Sequence, residues 1–155
     1  MRTRFHGHRA EAAGRFLGWI GEYGAVWLAI GIAVALADPD QREQWLLCGL
    51  LGPVAIGVNF AVKLAVRRDR PVLEGLPPLG GAPSSLSFPS AHSTSSFACA
   101  TAMTRVAPEA AVLFVLAAAI AACRPYLGMH YPSDVLGGAL LGTALGLAVP
   151  LDLLD

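Results

Sequence analysis

Two histidines, one aspartate and three cations lie in three short motifs along this chain. In order, they are Lys63, Arg70, His92, Arg124, His130 and Asp134. These residue types suit phosphoryl transfer through a phosphohistidine. The cations hold the phosphate oxygens, one histidine attacks phosphorus, the aspartate orients that histidine, and the second histidine protonates the leaving group. The set therefore predicts a phosphate-transfer site that needs no metal ion and no other cofactor.

The spacing of these residues resembles that of the type 2 phosphatidic acid phosphatase family. The family pattern KxxxxxxRP corresponds to residues 63–71, PSGH to residues 89–92, and SRxxxxxHxxxD to residues 123–134. Any one of these matches would be weak, but all three occur in order with the correct internal spacing. The resemblance covers nearly half of the chain and implies a membrane-bound lipid phosphatase.

The resemblance also assigns roles to the residues. His130 is expected to be the nucleophile, His92 the proton donor and Asp134 the carboxylate that orients His130. The residues expected to bind phosphate are Lys63, Arg70, Ser90, Ala91 and Arg124. Ser90 and Ala91 are predicted to begin a helix, where free N–H groups can meet an anion. Arg67 and Arg68, which lie between the matched positions of the first motif, are expected to be simple membrane anchors.

Two positions depart from the family pattern. Ala91 stands where the family usually has glycine, which keeps the N–H group and adds one methyl group. Cys123 replaces the usual serine before Arg124, and a thiol is a weaker hydrogen-bond donor than a hydroxyl. A nucleophilic role for Cys123 is disfavoured, because the Cys-x5-Arg pattern of cysteine phosphatases is absent.

The composition is that of an integral membrane protein. Of the 155 residues, 55% are hydrophobic and only 14% are charged, and the mean hydropathy is +0.56. Soluble domains carry about 25% charged residues. One membrane-embedded domain, residues 1–155, with a basic N-terminal tail at 1–15, is expected. The three cysteines show no spacing typical of a disulfide framework or a zinc site.

Five apolar segments predict an all-α, polytopic bundle of about five transmembrane helices. They are Phe16–Ala37, Trp45–Val66, Pro89–Val106, Glu109–Cys123 and Pro132–Leu154. Successive helices reverse direction, so this arrangement brings all three motifs to one membrane face. Glycines 138, 142 and 146 are four apart, which indicates either a close helix contact or the general glycine enrichment of membrane helices. Residues 72–88 are predicted to form either a flap near the lipid headgroup or a plain connector.

Arginine distribution predicts which way the protein faces. Apart from the site cations, six arginines lie on the face of the N-terminus and the site, and two lie on the other face. The positive-inside rule then places the site in the cytoplasm, in the inner (plasma) membrane. A site on that side suits a lipid phosphate made from a cytosolic donor.

The expected substrate is a phosphomonoester of a prenyl-linked lipid. The resemblance to small members of the family, judged by size, topology and composition, implies decaprenylphosphoryl-5-phosphoribose, an arabinan precursor of the cell wall. Phosphatidylglycerophosphate, phosphatidic acid and undecaprenyl diphosphate are the alternatives, as is a non-catalytic anion-binding membrane protein. Membrane lipids are expected partners and nucleic acid is not, while the oligomeric state is left open.

Overall fold

The computed structural model describes residues 7–72 and 86–153, and in this part of the chain the regular structure is helical throughout. The α-helices are α1 (His8–Ile20), α2 (Ala25–Ala37), α3 (Arg42–Val66), α4 (Ala91–Val106), α5 (Leu113–Tyr126) and α6 (Pro132–Ala148). Short 3-10 turns occupy Glu22–Gly24, Pro108–Val112 and Leu151–Leu153. The all-α prediction is confirmed. The proposed flap falls mainly at residues 73–85, which lie outside the described part of the chain.

The described helices differ in how well their length matches a membrane. Arg42–Val66 and Pro108–Tyr126 are long and apolar enough to cross it, and the bent pair formed by α1 and α2 counts as a third span if taken together. Helix α6 is apolar but has 17 residues, and α4 has 16. All five predicted apolar segments are therefore helical, while the number of five spans stays a prediction.

The first predicted span, Phe16–Ala37, is not one continuous helix. The chain bends by 49° between α1 and α2. Tyr23 has φ 55° and Gly24 has φ 73°, a left-handed backbone that glycine adopts without strain. A Cβ on Gly24 would lie 3.0 Å from the backbone of Gly52. The close approach of these two glycines accounts for the bend, because the chain can turn tightly against α3 here.

Helix α4 is the centre of the bundle and packs against α3, α5 and α6. It is rich in small polar residues, and buried polar groups need partners. Trp27 on α2 donates to the hydroxyl of Ser96 at 3.1 Å, and Asn59 on α3 donates to the hydroxyl of Thr94 at 2.8 Å. Hydrogen bonds therefore supplement close packing between these helices.

The glycines of α6 let that helix lie directly on α4. A Cβ on Gly138 would be 2.6 Å from the carbonyl oxygen of Ser90, and one on Gly146 would be 2.5 Å from that of Ala98. A Cβ on Gly142 would overlap the carbonyl oxygen of Thr94. Of the two explanations for the glycine spacing, close packing between helices is confirmed.

Contacts at the far end of the bundle fix the helix directions. Arg105, at the end of α4, donates to the carbonyl oxygens of Gly146 and Val149 at 2.9 and 2.7 Å. The end of α6 thus lies beside the end of α4, and the starts of both helices meet at the opposite end. That opposite end carries the motif residues.

Candidate active site

Asp134 lies at the start of α6 and organises the chain around it. Tyr131 is the N-cap residue, Pro132 occupies the first turn, and the backbone N–H of Tyr131 donates to Oδ2 of Asp134 at 2.8 Å. The carboxylate is fully buried. Oδ2 also lies 3.5 Å from Nδ1 of His130. Nδ1 makes no hydrogen bond among the described residues, so the role of Asp134 in orienting His130 stays a prediction.

The second nitrogen of His130 lies beside a cation. Nε2 is 3.5 Å from the guanidinium of Arg70, which donates to the carbonyl oxygen of Met129 at 2.8 Å. Burial is the main cause that lowers the pKa of His130, and the charges of Arg70, Arg124 and Lys63 lower it further. His130 therefore stays neutral near pH 7, which is the form that an imidazole nucleophile needs.

Two more cations are buried around this histidine. Lys63 is 8% exposed and donates from Nζ to the carbonyl oxygen of Leu86 at 2.9 Å. Arg124 is 6% exposed and donates to the sulfur of Met129 at 3.0 Å, while its buried Nε has no partner among the described residues. Buried charges are normally paired. Three cations around one buried histidine therefore make a site suited to a multiply charged anion.

The start of α4 differs in detail from the expectation. The helix begins at Ala91 with Ser90 as its N-cap residue, two residues after the predicted start at Pro89. The N–H of Ser90 is not free for an anion, because it donates to the carbonyl oxygen of Asp134 at 2.9 Å. That part of the prediction is wrong. The buried hydroxyl of Ser90 has no partner in the described structure and is the group that remains for a ligand.

His92 contacts an element that the motif analysis did not include. Its Nε2 lies 2.9 Å from the carbonyl oxygen of Gly18, in the last turn of α1. The first helix therefore reaches the second motif. Nothing in the spacing of the motifs could reveal this contact, since the two residues are 74 positions apart.

Arg68 is part of the site, and its interpretation as a simple anchor is wrong. Its guanidinium donates to Oδ1 of Asp134 at 3.0 Å and to the hydroxyl of Ser133 at 2.8 Å. It also lies over the ring of Tyr131, 4.2 Å from the centroid. Arg68 thus holds the carboxylate oxygen that does not face His130. The resemblance gave no signal for it, because its position is unspecified in the motif.

Asn59 is a second residue that sequence reasoning missed. It is fully buried one helical turn before Lys63, and it donates to the carbonyl oxygen of Pro89 at 3.3 Å as well as to Thr94. It ties the first motif to the second. A buried asparagine within an apolar span was the available signal, because such residues need partners.

Cys123, which replaces the family's usual serine, makes a hydrogen bond within its own helix. The thiol of Cys123 donates to the carbonyl oxygen of Ile120 at 3.0 Å, within its own helix. The thiol also interacts with the guanidinium of Arg124. Among residues 7–72 and 86–153, no cluster of three or more histidine, cysteine, aspartate or glutamate side chains could hold a metal ion.

Comparison with known proteins gives one family. Residues 44–154 match the model of the PAP2 superfamily. The decaprenylphosphoryl-5-phosphoribose phosphatase of Mycobacterium tuberculosis (strain CDC 1551 / Oshkosh) is 40% identical over 138 residues, which are 89% of this chain and 77% of that protein. The protein of the same name from Mycolicibacterium smegmatis is 41% identical over 126 residues, 80% of this chain and 68% of that one.

A solved structure shares the same arrangement of helices. The crystal structure of Aquifex aeolicus LpxE superposes with a TM-score of 0.75 at 25% identity. The superposition covers 94% of this chain and 87% of that one. The resemblance inferred from the three motifs is confirmed by both kinds of comparison.

Proposed function

We propose that this chain, a membrane phosphatase that belongs to the PAP2 superfamily, removes the 5-phosphate from decaprenylphosphoryl-5-phosphoribose. The observation that carries the substrate assignment is the 40% identity to a phosphatase of that name over 89% of the chain. The set of three cations, of which Lys63 and Arg124 are buried and Arg70 is half-buried, lies around a neutral histidine and supports the reaction type.

In the proposed mechanism, His130 attacks phosphorus in line with the leaving oxygen. A bond forms between Nε2 and phosphorus while the ester P–O bond breaks, and His92 gives its proton to the departing hydroxyl. Asp134, 3.5 Å from Nδ1, stabilises the positive charge that develops on the ring of His130. Water then attacks the phosphohistidine, its proton returns to His92, and inorganic phosphate leaves.

The proposed phosphate ligands are Lys63, Arg70 and Arg124, with the hydroxyl of Ser90 and the N–H of Ala91 beside them. Preorganised cations that face the developing charge lower the barrier most where water is excluded. These three side chains supply the charge that a metal ion would supply in other phosphatases. We therefore expect the reaction to proceed without a metal ion.

The proposed site faces the cytoplasm. This orientation is supported by the arginines around the N-terminus and the end of α3, and by the position of the motifs at the end of the bundle opposite Arg105. A lipid whose phosphate comes from a cytosolic donor would meet the site directly.

The test is phosphate release by the purified protein in detergent, with EDTA present. The panel contains decaprenylphosphoryl-5-phosphoribose, phosphatidic acid, phosphatidylglycerophosphate and undecaprenyl diphosphate. We expect the first to react fastest and vanadate to inhibit. His130→Ala should abolish turnover, and Asp134→Asn should lower it by about 10³-fold or more by analogy with the serine-protease triad.

Each part of the proposal has a result that would contradict it. Equal rates across the panel would replace the narrow substrate with a broad lipid phosphatase. A strict magnesium requirement would disprove the metal-free mechanism, and normal turnover by His130→Ala would disprove the nucleophile. Absence of phosphate release from all four lipids would favour the non-catalytic alternative.

A further inference from the structure

Helix α1 lies outside the residues that match the family model, yet it packs on the active site. Gly14 and Gly18 form its buried face, which lies against α5. Its large aromatic residues Phe16 and Trp19 are mostly exposed on the other side. Aromatic side chains favour the boundary between lipid and water. The helix thus presents glycines to the site and aromatic rings to its surroundings.

The contact between α1 and the second motif has a defined chemistry. A carbonyl oxygen can only accept a hydrogen bond, so Nε2 of His92 must carry the proton that points to Gly18. Nδ1 is then the ring nitrogen left for the leaving group. Carbonyls in the last turn of a helix carry the negative end of its dipole and favour a nearby cation.

His92 lies close to the three cations of the site. Arg124, Lys63 and Arg70 each act on it through their charge. Repulsion from these cations opposes an imidazolium at this position. The negative end of a nearby dipole would favour a proton-donating His92, and the Gly18 carbonyl at the end of α1 offers one.

Gly18 in α1 and Gly21, the C-cap residue of α1, are required for the close approach of this helix to His92. A Cβ on Gly21 would lie 3.0 Å from Cδ2 of His92 and 2.8 Å from Cγ2 of Ile120. A Cβ on Gly18 would lie 2.9 Å from the guanidinium of Arg124. Side chains at these two positions would therefore press on different residues of the site.

We propose that α1 is a working part of the active site, in which the Gly18 carbonyl positions His92 and stabilises its protonated form. Nδ1 of His92 gives its proton to the leaving oxygen, and the neutral ring keeps its Nε2–H on Gly18 until water restores the proton. Gly18 is a positioning residue, since it acts through His92. The inference rests on the proposed role of His92 as the proton donor.

The test compares two substrates that differ in their need for a proton. An alkyl phosphate such as the prenyl-linked phosphoribose requires protonation of its leaving oxygen, whereas 4-nitrophenyl phosphate does not. Gly21→Ala should push α1 away from His92. We expect it to lower kcat/KM for the alkyl phosphate by about 10- to 100-fold, since general acid catalysis contributes about 10²- to 10⁴-fold. For the aryl phosphate, kcat/KM should be unchanged, because it reports phosphoryl transfer to His130 and not the later hydrolysis of the phosphohistidine. An unchanged value also shows that the variant is folded.

Matched variants separate the possible causes. Gly14 lies on the same face of α1, where a Cβ would make only ordinary contacts with Leu127 and Tyr126. Gly14→Ala should therefore leave kcat/KM unchanged for both substrates. Gly18→Ala presses on Arg124, which binds phosphate in both substrates, so both should react more slowly. His92→Ala calibrates the assay and should show the same selective loss as Gly21→Ala.

The results distinguish this inference from the proposed function. Suppose that His92→Ala lowers kcat/KM for the alkyl phosphate alone, but Gly21→Ala lowers it equally for both substrates or for neither. The role given to α1 is then wrong, and the mechanism stands. If His92→Ala shows no difference between the substrates, His92 is not the acid, and both assignments fall together.

Discussion

Arg68 shows how one side chain outside the motif can set the geometry of the reaction. It holds one oxygen of the fully buried Asp134, whose other oxygen faces His130. Arg68 itself is 39% exposed, so water can enter when it is removed. Loss of Arg68 should then disturb the orientation of Asp134 and His130 rather than the folding of the protein.

We predict that Arg68→Ala lowers kcat by about 10- to 100-fold, on the analogy of residues that orient metal-binding side chains. KM should change little, because Arg68 is not among the proposed phosphate ligands. Arg67→Ala is the matched control, since Arg67 is exposed and contacts only the carbonyl oxygen of Leu64 in the described structure. Partial recovery of Arg68→Ala by added guanidinium would support orientation; equal losses in both variants would contradict it.

The pH dependence of the reaction should report the cations around His130. Burial and the neighbouring positive charges lower the pKa of His130, so its neutral form persists below the usual histidine value of about 6.5. Removing a positive neighbour makes the imidazolium less unfavourable and raises that pKa. We predict that Arg70→Gln moves the acid limb of kcat/KM to higher pH.

This prediction is measured with one substrate in both proteins, so that the titration of the substrate phosphate cancels. Arg67→Gln serves as the charge control, because it removes an exposed arginine at the end of α3, three residues before Arg70. An acid limb that stays in place in Arg70→Gln would show that Arg70 does not act on His130 through its charge.

At the scale of helices, the contact between α6 and α4 holds the helix whose first turn bears Asp134, the proposed orienting carboxylate. We predict that Gly142→Ala destabilises the protein by about 1–3 kcal/mol, the usual cost of overpacking. Its Cβ would overlap the carbonyl oxygen of Thr94 on α4. Thermal unfolding in detergent measures the change. Gly57→Ala is the control, since a Cβ there meets nothing within 4 Å, and equal melting temperatures would refute the prediction.

Sequence reasoning was most reliable where the types and spacing of residues along the chain alone determined the structure. The motif histidines, aspartate and cations meet at one end of the bundle, and the five apolar segments are helical as predicted. It failed where the outcome depended on a partner distant in the chain. The role of Arg68 depends on Asp134, the bend after Ile20 depends on Gly52, and the N–H of Ser90 is taken by the backbone of α6.

For the whole molecule, the arginine distribution predicts a cytoplasmic N-terminus and site, with the C-terminus outside. We expect Val72→Cys, at an exposed position after α3, to resist impermeant thiol reagents applied to intact cells. Asp40→Cys, in the exposed connection between α2 and α3, should react readily. The native cysteines are buried and give a low background. The reverse labelling pattern would place the site outside and remove the argument from a cytosolic donor.

Lys63 has a practical consequence, because it is the only lysine in the chain. Its side chain is largely buried among the proposed phosphate-binding groups. An amine-reactive reagent can therefore modify a side chain at this one position alone, and it can do so only while the site is open to water. The rate of Lys63 modification, measured by mass spectrometry, therefore reports how often the site opens, without any engineered label. Vanadate should lower that rate in proportion to its occupancy of the site.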